Sequence, residues 1–414
     1  MRPKIVIIGG GFAGLNVAKG LKHTAADIVL IDRTNHHLFQ PLLYQVATAT
    51  LSPRDIAAPL RSILRKQGNV KIEMAEVTAI HKDEKKLSMS DGSEMSYDYL
   101  VIAVGSRHSY FGHPEWESVA PGLKTLQDAV RIREKVLSSL ERAERATDKV
   151  IQRRLLTYVI VGAGPTGVEM AGAISEIVKK SIQDEFRTFG TDETRVLLVE
   201  GGPRVLLPYP ESLSTVARND LQEMGVEVRL NSTVTDIKSD GIQIGDEWIP
   251  TETVIWAAGN MASPMLGSLE TPLDRMGRVE VNPDLTVPGY PDIMVIGDCA
   301  AAPDGNGKFL PGIGPVAMQA GHYTASALRQ RLKGQVPSSF RYFDKGTMAT
   351  IGHLRAVAYV FGLKFTGLIA WVLWSIIHVL YLIGFRNKLT VIMEWMWSMT
   401  TTKRSVRLIA NSKQ

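Results

Sequence analysis

The residues of this chain best suited to chemistry are two glycine fingerprints, each with a carboxylate downstream. Gly9-Gly10-Gly11-Phe12-Ala13-Gly14 follows the apolar run Lys4-Ile5-Val6-Ile7-Ile8, and Gly162-Ala163-Gly164-Pro165-Thr166-Gly167 follows Tyr158-Val159-Ile160-Val161. In each, the first glycine permits a tight turn out of a strand and the second lets the backbone approach a pyrophosphate. The third lets helix and strand pack closely, which leaves the phosphates at the positive end of the helix. The confirming feature is an acid about 20 residues on, at the end of the next strand, where it binds a ribose hydroxyl. Asp32 ends the run Ile28-Val29-Leu30-Ile31, and Glu200 ends the run Val196-Leu197-Leu198-Val199. One such motif is a weak signal. Two in one chain, each with its acid, imply two bound dinucleotides and electron transfer between them.

The elements that must position these residues read as a duplicated α/β plan. Each half opens on its fingerprint strand and closes on a buried strand ending in glycine. The first closing strand is Tyr97-Asp98-Tyr99-Leu100-Val101-Ile102-Ala103-Val104-Gly105-Ser106, and the second is Thr253-Val254-Ile255-Trp256-Ala257-Ala258-Gly259. Between the halves, residues 124–148 have helical periodicity, with Leu126, Val130, Val136, Leu137 and Leu140 on one side. A further strand, residues 293–300, ends in Gly297-Asp298, and a helix is predicted from near Pro315 to Leu332. From Phe340 the composition turns apolar and aromatic.

At 414 residues and 45% hydrophobic content the chain supports two or three globular units. Its short opening apolar run belongs to the fingerprint strand and not to a signal peptide. The single cysteine, Cys299, excludes an intramolecular disulfide and a paired-thiol centre, which suits a reducing compartment. Without a partner thiol it reads as a small buried residue. The net charge of +5 favours an acidic partner. No zinc spacing or aromatic-interleaved basic face accompanies it, so nucleic acid is disfavoured and an anionic lipid surface is preferred. His36-His37 has no Cys, His or Asp cluster around it, and no metal is expected.

The duplicated fingerprints, the two closing strands and the Gly297-Asp298 strand resemble the two-dinucleotide-binding-domain flavoprotein reductases. Within that superfamily three segments resemble the type II NADH:quinone oxidoreductases: residues 36–45, residues 166–172 and the C-terminal stretch 340–408. The resemblance implies an α/β fold of two Rossmann-like domains plus a C-terminal helical membrane-anchoring module. The FAD domain would comprise residues 1–115 and 290–335, the NADH domain residues 116–289, and the anchoring module residues 336–414. It implies hydride transfer from NADH to FAD and then electron transfer to a membrane quinone, without proton pumping. It places Gly9, Gly11, Phe12, Ala13, Gly14, Asp32, Arg33, Gln40, Val77, Gly105, Asp298 and Ala317 on FAD. It places Gly162, Gly164, Pro165, Thr166, Gly167, Glu200 and Gly259 on NADH. Glu169 would tune hydride geometry or relay a proton, and Gln319 would serve the quinone. The His36-His37 loop and residues 39–44 would pack beside the flavin.

One departure stands out. Many members carry a glutamine where this chain has Pro315, which offers no side-chain hydrogen bond. Readings with a different acceptor, or as a flavoprotein sensor of low turnover, therefore stay open. Glu200 repels a 2′-phosphate and so favours NADH, while Arg204 nearby leaves NADPH open.

Residues 366–385 carry no charge over twenty positions, the length of a membrane span. Spanning would export Arg386, Lys388, Lys403, Arg404, Arg407 and Lys413 against one acid, Glu394, contrary to the positive-inside tendency. Trp371, Trp374, Ser375, His378 and Tyr381 are spaced three and four apart, with Trp395 and Trp397 beyond. An in-plane anchor with these aromatics at the headgroups and the cations on anionic lipid fits both observations. The expected location is the cytoplasmic side of the cell membrane, peripheral and monotopic. Association as a homodimer stays open.

Overall fold

The computed structural model describes residues 2–183, 185–401 and 406–409. The chain forms two compact units: Met1–Leu38, Ala58–Arg107 and Asn260–Asp344 make the first, and Phe39–Ala57, His108–Gly259 and Lys345–Gln414 the second.

The first unit is built on a six-stranded sheet, in the order Thr286–Val287, Tyr290–Val295, Tyr99–Ile102, Lys4–Ile8, Asp27–Asp32 and Val70–Met74. All neighbours pair in parallel except the edge pair at Thr286–Val287. Ile5, Val6, Ile7, Leu100 and Val101 are wholly buried, which is why these runs are continuously apolar rather than alternating. The strand Tyr290–Val295 joins this sheet beside Tyr99–Ile102, carrying Gly297-Asp298 at its end. Helices Phe12–Gly20 and Gly314–Arg331 cross closely, because a side chain at Gly321 would lie 3.0 Å from Asn16 Cβ.

The second unit has a four-stranded parallel sheet, in the order Val226–Arg229, Arg195–Val199, Thr157–Val161 and Thr253–Trp256. The helical stretch expected at 124–148 is the helix Leu126–Arg145, opened by a capping box of Thr125 and Asp128. The C-terminal part of this unit is an antiparallel sheet of Thr347–Gly352, Arg355–Val360 and Leu363–Thr366, followed by helices Gly367–Tyr381 and Phe385–Thr401. Small residues decide its packing: Ala356, Ala358 and Ala370 form a buried cluster that admits the first helix onto the strand.

The uncharged run 366–385 is thus not one helix. Gly367–Tyr381 has 15 residues, and the chain turns at Leu382 and at Gly384, whose φ is 93°. Fifteen residues reach about 22 Å against the ~30 Å of a hydrocarbon core. No helix among the described residues is long and apolar enough to cross a membrane.

The expected orientation of the aromatic stripe is corrected at Trp374 and Trp395, whereas Tyr381 and Trp397 are exposed. Trp374 is 1% exposed and stacks on His378 at 4.1 Å, and Trp395 packs 5.4 Å from Trp374, so these rings bind the two helices to the unit. The exposed face is mostly aliphatic and also carries Tyr381, Phe385 and Trp397. It presents Leu368, Ile369, Val372, Ile376 and Leu380 on the first helix, and Phe385, Leu389, Met393, Met396 and Trp397 on the second. The physical reason is that Trp374, His378 and Trp395 pack on one another in the interior, which leaves the branched chains outside. Of the tail cations, Lys403, Arg404 and Lys413 lie outside the described residues, and Arg407 pairs with Glu185 at 2.6 and 2.8 Å.

Candidate functional site

The two fingerprints fold into matching geometry. Gly9 and Gly162 turn out of their strands at φ 102° and 98°, a region only glycine occupies without strain. A Cβ at Gly14 would collide with the Gly9 carbonyl oxygen, and one at Gly167 with that of Gly162. At the middle glycines, Gly11 and Gly164, a Cβ would meet nothing within 4 Å. These two residues are the N-caps of helices Phe12–Gly20 and Pro165–Glu176, and neither helix receives a side-chain cap. Each fingerprint therefore presents helix-terminal N–H groups without a side-chain cap towards open space, as a phosphate needs.

The acids are clasped in the same way. Asp32 Oδ2 accepts from the Gly10 N–H at 2.6 Å, while its Oδ1 accepts from the Thr34 N–H at 2.7 Å and hydroxyl at 2.8 Å. Glu200 Oε2 accepts from the Ala163 N–H at 2.7 Å, and its Oε1 from the Gly202 N–H at 2.7 Å. Each carboxylate is fixed to its own glycine loop. Arg204, by contrast, is turned to its own loop, donating to the carbonyls of Tyr209 at 3.1 Å and Leu207 at 2.8 Å.

In the first unit the helix Gly314–Arg331 adds a second uncapped N-terminus beside Phe12, with Pro315 in its first turn. The departure at Pro315 has a local reason, since N–H groups in the first turn of a helix have no intrahelical partner. Ala13 and Ala317 flank Gly297, and Asp298 Oδ2 accepts from the Ser106 hydroxyl at 3.0 Å. Gly9, Gly11, Phe12, Ala13, Gly14, Asp32, Asp298 and Ala317 are thereby gathered. Arg33 is exposed beside Asp32, Gly105 follows its strand at φ 68°, and Val77 is buried at the start of the strand Val77–His81. Gln40 falls in the second unit, exposed, with its amide 3.4 Å from the Lys124 carbonyl. His37 is buried with Nδ1 2.9 Å from the Gly10 carbonyl, and burial pushes its imidazole down to about 4. Cys299 is buried, its thiol directed to the Ile296 carbonyl at 3.2 Å and raised to about 12 by desolvation. Among the described residues no three His, Cys, Asp or Glu side chains gather as a metal site.

In the second unit Gly162, Gly164, Pro165, Thr166 and Gly167 form one loop with Glu200, and Gly259 lies at the neighbouring strand end, where a Cβ would press on Phe111. Glu169 lies a turn into the fingerprint helix. Burial raises its carboxyl well above the usual range, opposed by a hydrogen bond from the Thr350 backbone N–H. Glu169, Gly172 and Glu176 share one helix face, and that face meets the strand Thr347–Gly352. Gln319, in the first unit, has both amide atoms engaged with the Phe343 backbone, donating at 2.9 Å and accepting at 3.0 Å.

Sequence reasoning placed Tyr44 only within a flavin-side stretch, assigned Trp395 to the membrane, and left Gln45, Gly172 and Thr350 without a role. All five surround Glu169 or lead to it. Only tertiary pairing brings positions 44, 169, 350 and 395 together, so no local pattern marks them.

The chain matches the pyridine nucleotide-disulphide oxidoreductase family over residues 3–321 and the NDH2 C-terminal domain over residues 345–402. It is 41% identical to the type II NADH:quinone oxidoreductase Ndh of Mycobacterium tuberculosis over all of this chain and 91% of that protein. It is 31% identical to the type II NADH:quinone oxidoreductase of Staphylococcus haemolyticus, over 88% of this chain and 92% of that one. The solved structure of NDH2 from Plasmodium falciparum in complex with NADH has the same fold, with a TM-score of 0.90 at 20% identity, covering 98% of this chain and 100% of that one. With two clasped dinucleotide loops followed by this C-terminal sheet and helix pair, and relatives of that identity along its whole length, the chain belongs to the type II NADH:quinone oxidoreductases.

Proposed function

We propose that this chain is an FAD-dependent, non-electrogenic oxidoreductase that takes hydride from NADH and passes electrons to a quinone at a membrane surface. The observation that carries the reading is the doubled clasp, Gly10 N–H to Asp32 and Ala163 N–H to Glu200, which builds two dinucleotide seats in one chain.

The residues present fit FAD in the first unit. Two uncapped helix N-termini adjoin the open space at Gly11, which suits a pyrophosphate, and Asp32 is set to accept from ribose hydroxyls. Asp298, held by Ser106, would face the ribityl chain. A flavin bound there supplies the redox chemistry, accepting a hydride and releasing electrons to a second acceptor. Gly162, Gly164 and Gly167 would seat the NADH pyrophosphate, and Glu200 its ribose. The carboxylate, with Arg204 committed to carbonyls, supports NADH over NADPH. Glu169 would hold and release a proton, because burial keeps its carboxyl protonated further towards neutrality than an exposed glutamate. Gln319 would position Phe343 as an apolar contact for the quinone ring.

The aliphatic faces of Gly367–Tyr381 and Phe385–Thr401 support peripheral seating on the cytoplasmic leaflet, with Lys364 and Arg386 exposed nearby for anionic headgroups. The test is direct. Purified protein should be yellow, oxidise NADH with a soluble quinone analogue and pellet with anionic vesicles. Colourless protein would refute the flavoenzyme reading, and flavin that bleaches under NADH without turnover would favour a sensor.

A further inference from the structure

Four buried polar side chains form a hydrogen-bonded line within the second unit. Trp395 Nε1 donates to Gln45 Oε1 at 2.8 Å, Gln45 Nε2 donates to Tyr44 Oη at 2.9 Å, and Tyr44 Oη lies 2.8 Å from Thr350 Oγ1. The direction of the line is determined from Trp395 to Tyr44. An indole N–H only donates, so the Gln45 carbonyl oxygen must face Trp395 and its NH2 must face Tyr44. The Tyr44 oxygen accepts from that amide, and between Tyr44 Oη and Thr350 Oγ1 either hydroxyl can donate.

The two ends of the line have different surroundings. Trp395 belongs to the helix Phe385–Thr401, whose opposite face exposes Leu389, Met393, Met396 and Trp397. Thr350 belongs to the strand that faces the fingerprint helix, and its backbone N–H is the hydrogen-bond donor to Glu169. Buried networks of this kind fix a single arrangement because each member, once unpaired, has no water to turn to.

We propose that Gln45 is a positioning residue which, through Trp395 and Tyr44, ties the seating of the helix Phe385–Thr401 on a lipid surface to the hold of Thr350 on Glu169. The idea rests on the membrane reading above and adds a coupling to it. A bilayer pressing on the exposed face steadies the helix, the indole keeps the amide oriented, and the strand carrying Thr350 stays closed on the fingerprint helix. Trp395→Phe keeps an aromatic ring at the site and removes the donor together with the indole's five-membered ring. Gln45→Leu removes both links at similar volume.

The experiment compares hydrogen exchange of the segments 347–352 and 385–401 in the holoenzyme, with and without vesicles containing anionic phospholipid, alongside vesicle pelleting and NADH turnover. In the wild type, vesicles should slow exchange in both segments, by about fivefold in 347–352, the factor that one net hydrogen bond contributes. They should also raise kcat with little change in the KM for NADH. In Trp395→Phe the protein should still pellet and 385–401 should still be protected, while the response of 347–352 and the rise in kcat are lost. Gln45→Leu should do the same. If Trp395→Phe transmits protection to 347–352 as the wild type does, or if 347–352 of the pelleted wild type does not respond, the coupling is wrong although membrane binding stands. If the wild type does not pellet, the membrane reading and the coupling both fall.

Discussion

Gly172 offers a sharp test of how Glu169 is placed. It sits in the helix Pro165–Glu176, three residues beyond Glu169 on the face that meets Thr347–Gly352. Propensity alone predicts that Gly172→Ala stabilises, by about 0.5–1 kcal/mol, because alanine restricts the unfolded chain and suits a helix interior. Sterics predict the opposite. The new Cβ would lie 2.8 Å from the Ile351 carbonyl carbon and closer still to its oxygen. Ordinary contact needs about 3.5–4.0 Å, and the nearer oxygen sets the shift, so helix and strand must part by at least about 1 Å. Overpacking of that kind costs about 1–3 kcal/mol, and here the neighbour is backbone, which cannot swing aside. The expected net result is a loss of about 1–2 kcal/mol, read as a lower midpoint in thermal or guanidinium denaturation. The same shift of about 1 Å moves Glu169 relative to the Thr350 N–H. Misplacement on that scale lowers kcat by up to about 100-fold, with flavin content unchanged. A variant that is stabilised and retains full turnover would show that the helix and strand are not locked backbone to backbone, and that Glu169 does not depend on their contact.

Other predictions follow from single interactions. His37, His108 and His378 are each pushed down to about 4 by burial, from an ordinary value of 6.5. The unfolded chain therefore binds more protons between those values, so stability is full above about pH 6.5 and falls as pH drops towards 4. For the buried His37 the loss is about 3 kcal/mol, and His37→Asn should flatten the slope of denaturation midpoint against pH. Glu200→Gln leaves one of the Ala163 and Gly202 N–H groups without its acceptor, so the KM for NADH should rise about 10-fold or more while the preference over NADPH narrows. A carboxylate on the exposed helix face, Met393→Asp, should cut vesicle pelleting about 10-fold or more while NADH oxidation with a soluble quinone analogue persists. Equal pelleting would show that this face does not meet lipid.

The paired glycine loops were legible because their physics is local. A turn out of a strand, a backbone approach and a helix–strand contact each need glycine at a fixed offset, and the acid must stand at the next strand end. Gly9, Gly14, Asp32, Gly162, Gly167 and Glu200 could be read from spacing alone. The Gly297-Asp298 strand was also visible as a run, although its pairing with Tyr99–Ile102 is a fact of the sheet. The C-terminal helices were harder to read. An uncharged run of twenty residues looks like one element, but the turn at Gly384 and the reach of Trp374 and Trp395 into the unit depend on the alanine-lined strand beneath them. The aromatic stripe has the right spacing for a face and no label saying which side the face meets.

What the sequence by itself determined is therefore the pair of glycine loops with their acids, since each is specified within one strand, turn, helix and strand. Only the tertiary structure decided what surrounds Glu169. Tyr44, Gln45, Thr350 and Trp395 come from separate stretches of the chain, and their hydrogen bonds acquire direction and strength only once folding has removed water from around them.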